Sequence, residues 1–113
     1  MIHTSVYQNV AALSDLPPGE RLRVRAHDTW IMIANIHGTC LAVADTCTHE
    51  DASLYLGALV GDCVRCPLHG SRFCLRDGRV LDEPADTDLA VFPVRIENDQ
   101  ILVAQPRELL NAS

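Results

Sequence analysis

Aromatic side chains are scarce in this sequence: one Trp, two Tyr and two Phe, 4% of 113 residues. A core built from it must be mostly aliphatic, which an apolar content of 48% allows. Basic charge is in deficit too. Nine Lys and Arg stand against fifteen Asp and Glu, giving a net charge of −6 and a pI near 5.1. That argues against a nucleic-acid binder, which would show a basic patch. It leaves two readings open: steering toward a basic face on a protein partner, or a surface that only keeps a small protein dissolved. No run approaches the roughly 20 apolar residues that span a bilayer, so no membrane segment is expected. Met1 to Gln8 has neither the basic n-region nor the apolar h-region of a secretory signal. The expected setting is a reducing cytoplasm, where cysteines serve metal sites or cores rather than disulfides. There is no Gly-rich phosphate loop, no nucleophile elbow and no second His and Asp set for a mononuclear iron.

What the chain does have is a strand pattern. Its length suits one domain with a radius of gyration of about 13 Å, so a cofactor held in its loops lies near the surface. Residues 5 to 13 suit a first strand, and Pro17-Pro18-Gly19 a turn. Arg21-Leu22-Arg23-Val24-Arg25 alternates charged and apolar residues, the period of a half-buried strand. Its three Arg form either a docking patch or, more simply, a solvated face. Trp30 to Ile36 is apolar and β-branched and suits a strand covered on both sides. His37-Gly38 turns it, and Cys40 to Ala44 pairs back. Short strands follow at Cys63 to Arg65 and Arg72 to Leu75, with a turn at Arg76 to Gly78 and a return over Arg79 to Leu81. Glu83-Pro84-Ala85 is a rigid loop. Leu89 to Glu97 and Gln100 to Ala104 form a last hairpin across Asn98-Asp99, with Pro93 marking an edge or bulge. Residues 105 to 113 are a tail, frayed or a single helical turn. Strands at this spacing, without a helical period, predict an all-β sandwich or barrel.

The chemistry concentrates between Cys47 and His69. Cys47-Thr48-His49 and Cys66-Pro67-Leu68-His69 are two arms, each offering one thiolate and one imidazole, sixteen residues apart. A mononuclear zinc site prefers spacings of about two to four residues within an arm. Cys-x-His is tighter and suits side chains that reach different atoms of a larger group. A two-iron, two-sulfide cluster supplies such atoms, with both Cys on one iron and both His on the other.

The pair CTHED and CPLHGSRF, at this separation, resembles the Rieske ferredoxins, the small electron carriers of multicomponent aromatic-ring dioxygenases. The likeness extends from Asp45 to Val103, taking in Pro84-Ala85 and Val91 to Glu97. It implies a basal β-domain (1–44 and 84–104) with an inserted cluster-binding subdomain (about 45–83). It implies one [2Fe–2S] cluster, with Cys47 and Cys66 on the inner iron and His49 and His69 on the outer. Partners would be a flavin-dependent ferredoxin reductase and a terminal oxygenase, docking transiently near His49 and His69, and a monomer is expected. The chain would carry electrons in aromatic catabolism and would not catalyse alone. Rieske subunits of respiratory complexes carry an extra Cys in each arm that bridges the loops; here Leu68 and Asp51 or a neighbour stand there, so the bridge is absent.

Around the ligands, Ser71 is a candidate donor to a sulfide, or else faces solvent or caps the turn. Gly70 suits a positive φ or close backbone approach, and Pro84 a lid-like third loop. Glu50 and Asp51 either mark a docking epitope or solvate the loop. Cys63-Val64-Arg65-Cys66 invites a redox-dithiol or zinc-knuckle reading, but Cys63 lies on a strand. Cys40 and Cys74 fit small core residues, although the family often has Asp where Cys74 stands. His3, His27 and His37 are expected to be plain surface. Two rivals remain: the small Rieske subunit of an NADH-dependent nitrite reductase, and a zinc-stabilised module using the same four ligands.

Overall fold

The structure is a computed structural model and describes residues 6–49 and 51–106. The strands are β1 (Tyr7–Ala12), β2 (Arg21–Ala26), β3 (Thr29–Ile36), β4 (Thr39–Ala44), β5 (Ala58–Val60), β6 (Cys63–Arg65), β7 (Arg72–Cys74), β8 (Val91–Phe92), β9 (Val94–Glu97) and β10 (Gln100–Ala104). Short 3-10 turns occupy Leu13–Asp15 and Leu54–Leu56. The strands form three antiparallel sheets, ordered β1-β10-β9, β2-β3-β4-β8 and β5-β6-β7. The all-β expectation holds, and the radius of gyration is 13.6 Å.

β3 organises the packing. Its apolar, largely β-branched sequence pairs on both edges, and every residue from Ile31 to Ile36 is buried. Successive strand residues face opposite ways, so β3 divides two cores. Ile31 and Ile33 pack with Leu16, Phe92, Ile101 and Val103 between the first two sheets. Met32, Ala34 and Ile36 pack on the other side with Leu54, Val64, Phe73 and Leu75, under the third sheet. That second core also contains Cys47 and Cys66, so the candidate arms stand on the outer face of β3 and β4.

Two-residue turns whose φ angles are all positive join β2 to β3 (His27 and Asp28, 53° and 62°), β3 to β4 (His37 and Gly38, 55° and 94°) and β9 to β10 (Asn98 and Asp99, 50° and 62°). This is the hairpin geometry whose twist matches that of the strands.

Four expectations change. Leu89 to Glu97 is not one strand. Proline has no N–H for the ladder, and at Pro93 the chain leaves the edge of β4 as β8 and re-forms as β9 beside β10. Arg79 to Leu81 returns along β7 through main-chain bonds and a single Phe73–Val80 bridge rather than as a strand. His27 is half-buried, and its Nε2–H donates to the Val103 carbonyl at 2.8 Å, tying the β2–β3 turn to the neighbouring sheet. The Arg row of β2 is only partly a solvated face: Arg23 and Arg25 are exposed, but Arg21 is half-buried, and Arg21 and Arg23 also reach up to the arms, as described below. His37 is exposed, as expected. His3, Ser5, Glu50 and the tail from 107 onward lie outside the described residues.

Candidate metal centre

The first arm leaves β4 at Ala44 and returns at Leu54. The Cys47 N–H donates to the Ala52 carbonyl at 2.9 Å, and Thr46 bridges Ser53, which closes a short loop around His49. Beneath the loop lies Asp45, fully buried. Its carboxylate accepts Arg23 Nε at 2.8 Å, Ser53 Oγ at 2.6 Å and the Tyr55 N–H at 2.8 Å, while its own carbonyl accepts the Leu54 N–H at 2.7 Å. A buried carboxylate is stable only when its lone pairs are taken up in this way. Next to it, the Arg21 guanidinium donates to the carbonyls of Tyr55 and Gly57, both at 2.7 Å. β2 thus clamps the first arm from below, although nothing in the sequence separates Asp45 from an ordinary loop acid.

The second arm caps the β6–β7 hairpin. The Cys66 N–H donates to the Ser71 carbonyl at 2.8 Å and the Gly70 N–H to the Cys66 carbonyl at 3.0 Å. Gly70 has φ of 80°, so the arm's tight return uses the conformation that glycine tolerates best. Ser71 is buried and does not face solvent: its Oγ accepts the Ala85 N–H at 3.0 Å. Phe73 is fully buried under the arm.

A third loop stitches the arms together. Ala85 is bonded to Ser71 of the second arm, and the Thr87 carbonyl accepts Thr48 Oγ1 of the first at 2.6 Å. Pro84 itself is exposed. Arg72 and Asp82 form a two-pronged pair, 2.5 and 3.1 Å, at the base of this loop. The Arg72 hydrogen bond holds the Asp82 carboxyl below its ordinary range.

The four candidate ligands are sorted by depth. Cys47 and Cys66 are buried, 4% and 2% exposed, whereas His49 and His69 are exposed. The two imidazoles face each other edge to face, their ring centres 5.6 Å apart. With metal-to-nitrogen bonds of about 2.1 Å, one ion between two imidazoles sets their ring centres at about this separation. Among the described residues, no three His, Cys, Asp or Glu side chains converge on a single-ion site. A buried pair of sulfurs beneath an exposed pair of imidazoles instead frames a larger, layered group, soft donors inside and imidazole outside. The residues present fit a two-iron, two-sulfide cluster.

The other cysteines lie apart. Cys40 is half-buried against the lower core, and burial pushes its thiol up. Cys63 and Cys74 are half-buried and face each other across β6 and β7. Asp51 is exposed on the first arm.

The Rieske [2Fe-2S] domain family model matches residues 6–93. The biphenyl dioxygenase ferredoxin subunit of Pseudomonas sp. (strain KKS102) is 38% identical over 107 residues, 94% of this chain and 98% of that protein. Among solved structures, the complex of reduced oxygenase and oxidized ferredoxin in carbazole 1,9a-dioxygenase contains a chain that matches with a TM-score of 0.85 at 34% identity, covering 90% of this chain and 96% of that one. A Mycobacterium tuberculosis protein assigned as the small subunit of an NADH-dependent nitrite reductase is more distant, with a TM-score of 0.78 at 26% identity over 88% of this chain and 95% of that one. The donor set and these likenesses agree on the cofactor and displace the zinc-module reading. The chain belongs to the Rieske [2Fe-2S] family and is a ferredoxin-type electron carrier that binds a [2Fe–2S] cluster and is not a catalyst on its own.

Proposed function

We propose that Cys47 and Cys66 hold the cluster's buried iron, that His49 and His69 hold its exposed iron, and that the chain relays electrons from a flavin-dependent reductase to the terminal oxygenase of an aromatic-ring dioxygenase. The observation that carries this reading is the sorting of ligands by depth: thiolates in the core, imidazoles at the surface and facing each other. When bound, the cluster takes up and gives back one electron at a time. Two neutral imidazoles in place of two thiolates leave it less negative, and this raises its potential above that of all-Cys clusters.

The residues around it have separable tasks. Asp45 and Arg23 fix the first arm. Ser71 joins the second arm to Ala85 as an acceptor; its hydroxyl keeps a proton, and donating that proton to a sulfide would raise the potential. Gly70 provides the tight return, and the loop carrying Pro84 closes the third side. The cluster-binding unit spans about 45–83 within a basal domain of 1–44 and 84–104. Partners dock on the surface around His49 and His69, where Leu68 is 57% exposed, through the small interfaces of transient redox encounters. The setting is a reducing cytoplasm, and the carrier works as a monomer, its tip free to meet each partner in turn. Among the described residues, no helix is long and apolar enough to cross a membrane.

The test is iron, zinc and acid-labile sulfide per chain on anaerobically purified protein, the EPR spectrum of the reduced form, and a mixing experiment with a dioxygenase reductase and oxygenase. Two irons, two sulfides, a Rieske-type spectrum and NADH-driven hydroxylation only when this chain is present are expected. One zinc without sulfide would overturn the site assignment. A full cluster in a chain that co-purifies with a sirohaem protein and drives no hydroxylation would overturn the relay.

A further inference from the structure

Cys63 and Cys74 are register partners in the β6–β7 pair. The Leu75 N–H donates to the Asp62 carbonyl and the Cys74 N–H turns away to the Arg79 carbonyl, so the pair 63 and 74 falls at a non-hydrogen-bonded position of the ladder. There the Cα atoms of antiparallel strands approach to about 4.5 Å and the side chains lie on one face. That is within the span a disulfide bridges, about 4.4 to 6.8 Å between Cα atoms. Both thiols are half-buried and within reach of small solutes, whereas Cys47 and Cys66 are buried. Val64 and Phe73, the next register pair, point the other way into the core. The sequence spacing pairs Cys63 with Cys66, whereas the fold sets it opposite Cys74.

We propose that Cys63 and Cys74 are a peroxide-oxidisable dithiol whose disulfide closes a covalent ring around the second arm. The ring runs from 63 to 74 and encloses Cys66, His69 and Ser71. Its value to the cluster rests on the ligand assignment above; its formation does not. Cys63 lies beside Asp62, its Sγ 3.7 Å from the carboxylate, and burial and Asp62 push its thiol up. Cys63 is therefore the poorer initial nucleophile. The Cys74 sulfur attacks a peroxide oxygen, the O–O bond breaks, and Cys74 becomes a sulfenic acid as water leaves. The Cys63 sulfur then attacks the Cys74 sulfur, the S–O bond breaks, and the departing hydroxide takes the Cys63 proton as a second water. Two thiols and one hydrogen peroxide give one disulfide and two waters. Asp77, whose carboxyl is lowered by the Arg79 N–H and by the Cys74 thiol, marks the other end of the same acidic, sulfur-bearing face.

The experiment treats the purified holoprotein with stoichiometric hydrogen peroxide and follows the cluster's visible absorbance. The protein is then alkylated, digested with trypsin without reduction and examined by fragmentation mass spectrometry. Trypsin cuts after Arg65 and Arg72 and leaves the two cysteines on separate peptides that only a disulfide joins. A Cys63–Cys74 link in the wild type and in Cys40→Ser, reversed by dithiothreitol and lost completely in Cys63→Ser and Cys74→Ser, is the expected result. Sulfinic or sulfonic acid at Cys74 without the link, or a link from Cys63 to Cys66, would overturn the proposal. If the cluster assignment itself is wrong, the absorbance is absent at the start while the link still forms.

Discussion

The two arms present the same ligand pair, one Cys and one His, and are held in different ways. The first is held by side chains. Asp45 gathers Arg23, Ser53 and Tyr55 on one buried carboxylate, and Arg21 ties down the segment beyond. The second is held by its own main chain, as the cap of a hairpin closed between Cys66, Gly70 and Ser71. The contrast follows from local geometry. Cys-x-x-His at a hairpin tip makes a turn that its own N–H and carbonyl groups satisfy. The first arm also closes on itself, through the Cys47–Ala52 bond and the Thr46–Ser53 bridge, but it runs from a strand into a 3-10 turn and takes added support from the β2 arginines and Asp45 below. A loop fixed by one buried charge is vulnerable at one residue; a loop fixed by its backbone is not.

Asp45→Ala is the sharpest way to break this comparison. It removes the acceptor of three hydrogen bonds and leaves the Arg23 cation without its partner. The expected cost is about 3 kcal/mol in chemical denaturation, with cluster content falling in parallel. Ser71→Ala is the matching change in the second arm. It strands one buried N–H, that of Ala85, and is expected to cost about 1.5 kcal/mol with the cluster retained. On the proposed donation of the Ser71 hydroxyl to a sulfide, the reduction potential would fall as well; electrochemistry on the two variants separates this from stability. Equal losses for Asp45→Ala and Ser71→Ala would erase the distinction between the arms.

The smallest effect is expected from Asp82→Asn. Arg72 and Asp82 are 40% and 36% exposed, so solvent screens most of their attraction. The sign is definite. Asp82's carboxyl is held below its ordinary range in the folded protein, so the pair contributes stability above the unfolded carboxyl value of about 4. That contribution disappears as pH falls through the depressed value. Thermal melts of wild type and Asp82→Asn should differ slightly at pH 7 and converge as the solution is acidified.

Much of this was legible in the sequence because it rested on period and spacing. The alternation of Arg21 to Arg25, the apolar run to Ile36 and the turn at Asn98-Asp99 each carried a strand or turn on local evidence. The four candidate ligands were legible because Cys-x-His and Cys-x-x-His are rare arrangements of reactive residues. What stayed hidden was long-range. Asp45 and Arg23 lie 22 residues apart, and Thr48 and Thr87 39 apart, and no local pattern joins such pairs. Arg21 and Arg23 looked like a solvated row because alternation shows which residues share a face and not what that face meets. Pro93 marked an irregularity, but only the sheet order showed that the chain changes sheets there. Burial removed the solvent-facing reading of Ser71, and its bond to the Ala85 N–H, 14 residues on, has no local signature.

The central claim is that His49 and His69 are ligands to the exposed iron, and the most direct measurement is the reduction potential of His49→Cys and His69→Cys. Either change adds a thiolate where an imidazole stood. The predicted result is a potential moved from the Rieske range toward the all-Cys value of about −400 mV, or loss of the cluster. A variant that keeps both its potential and its EPR spectrum would contradict the account.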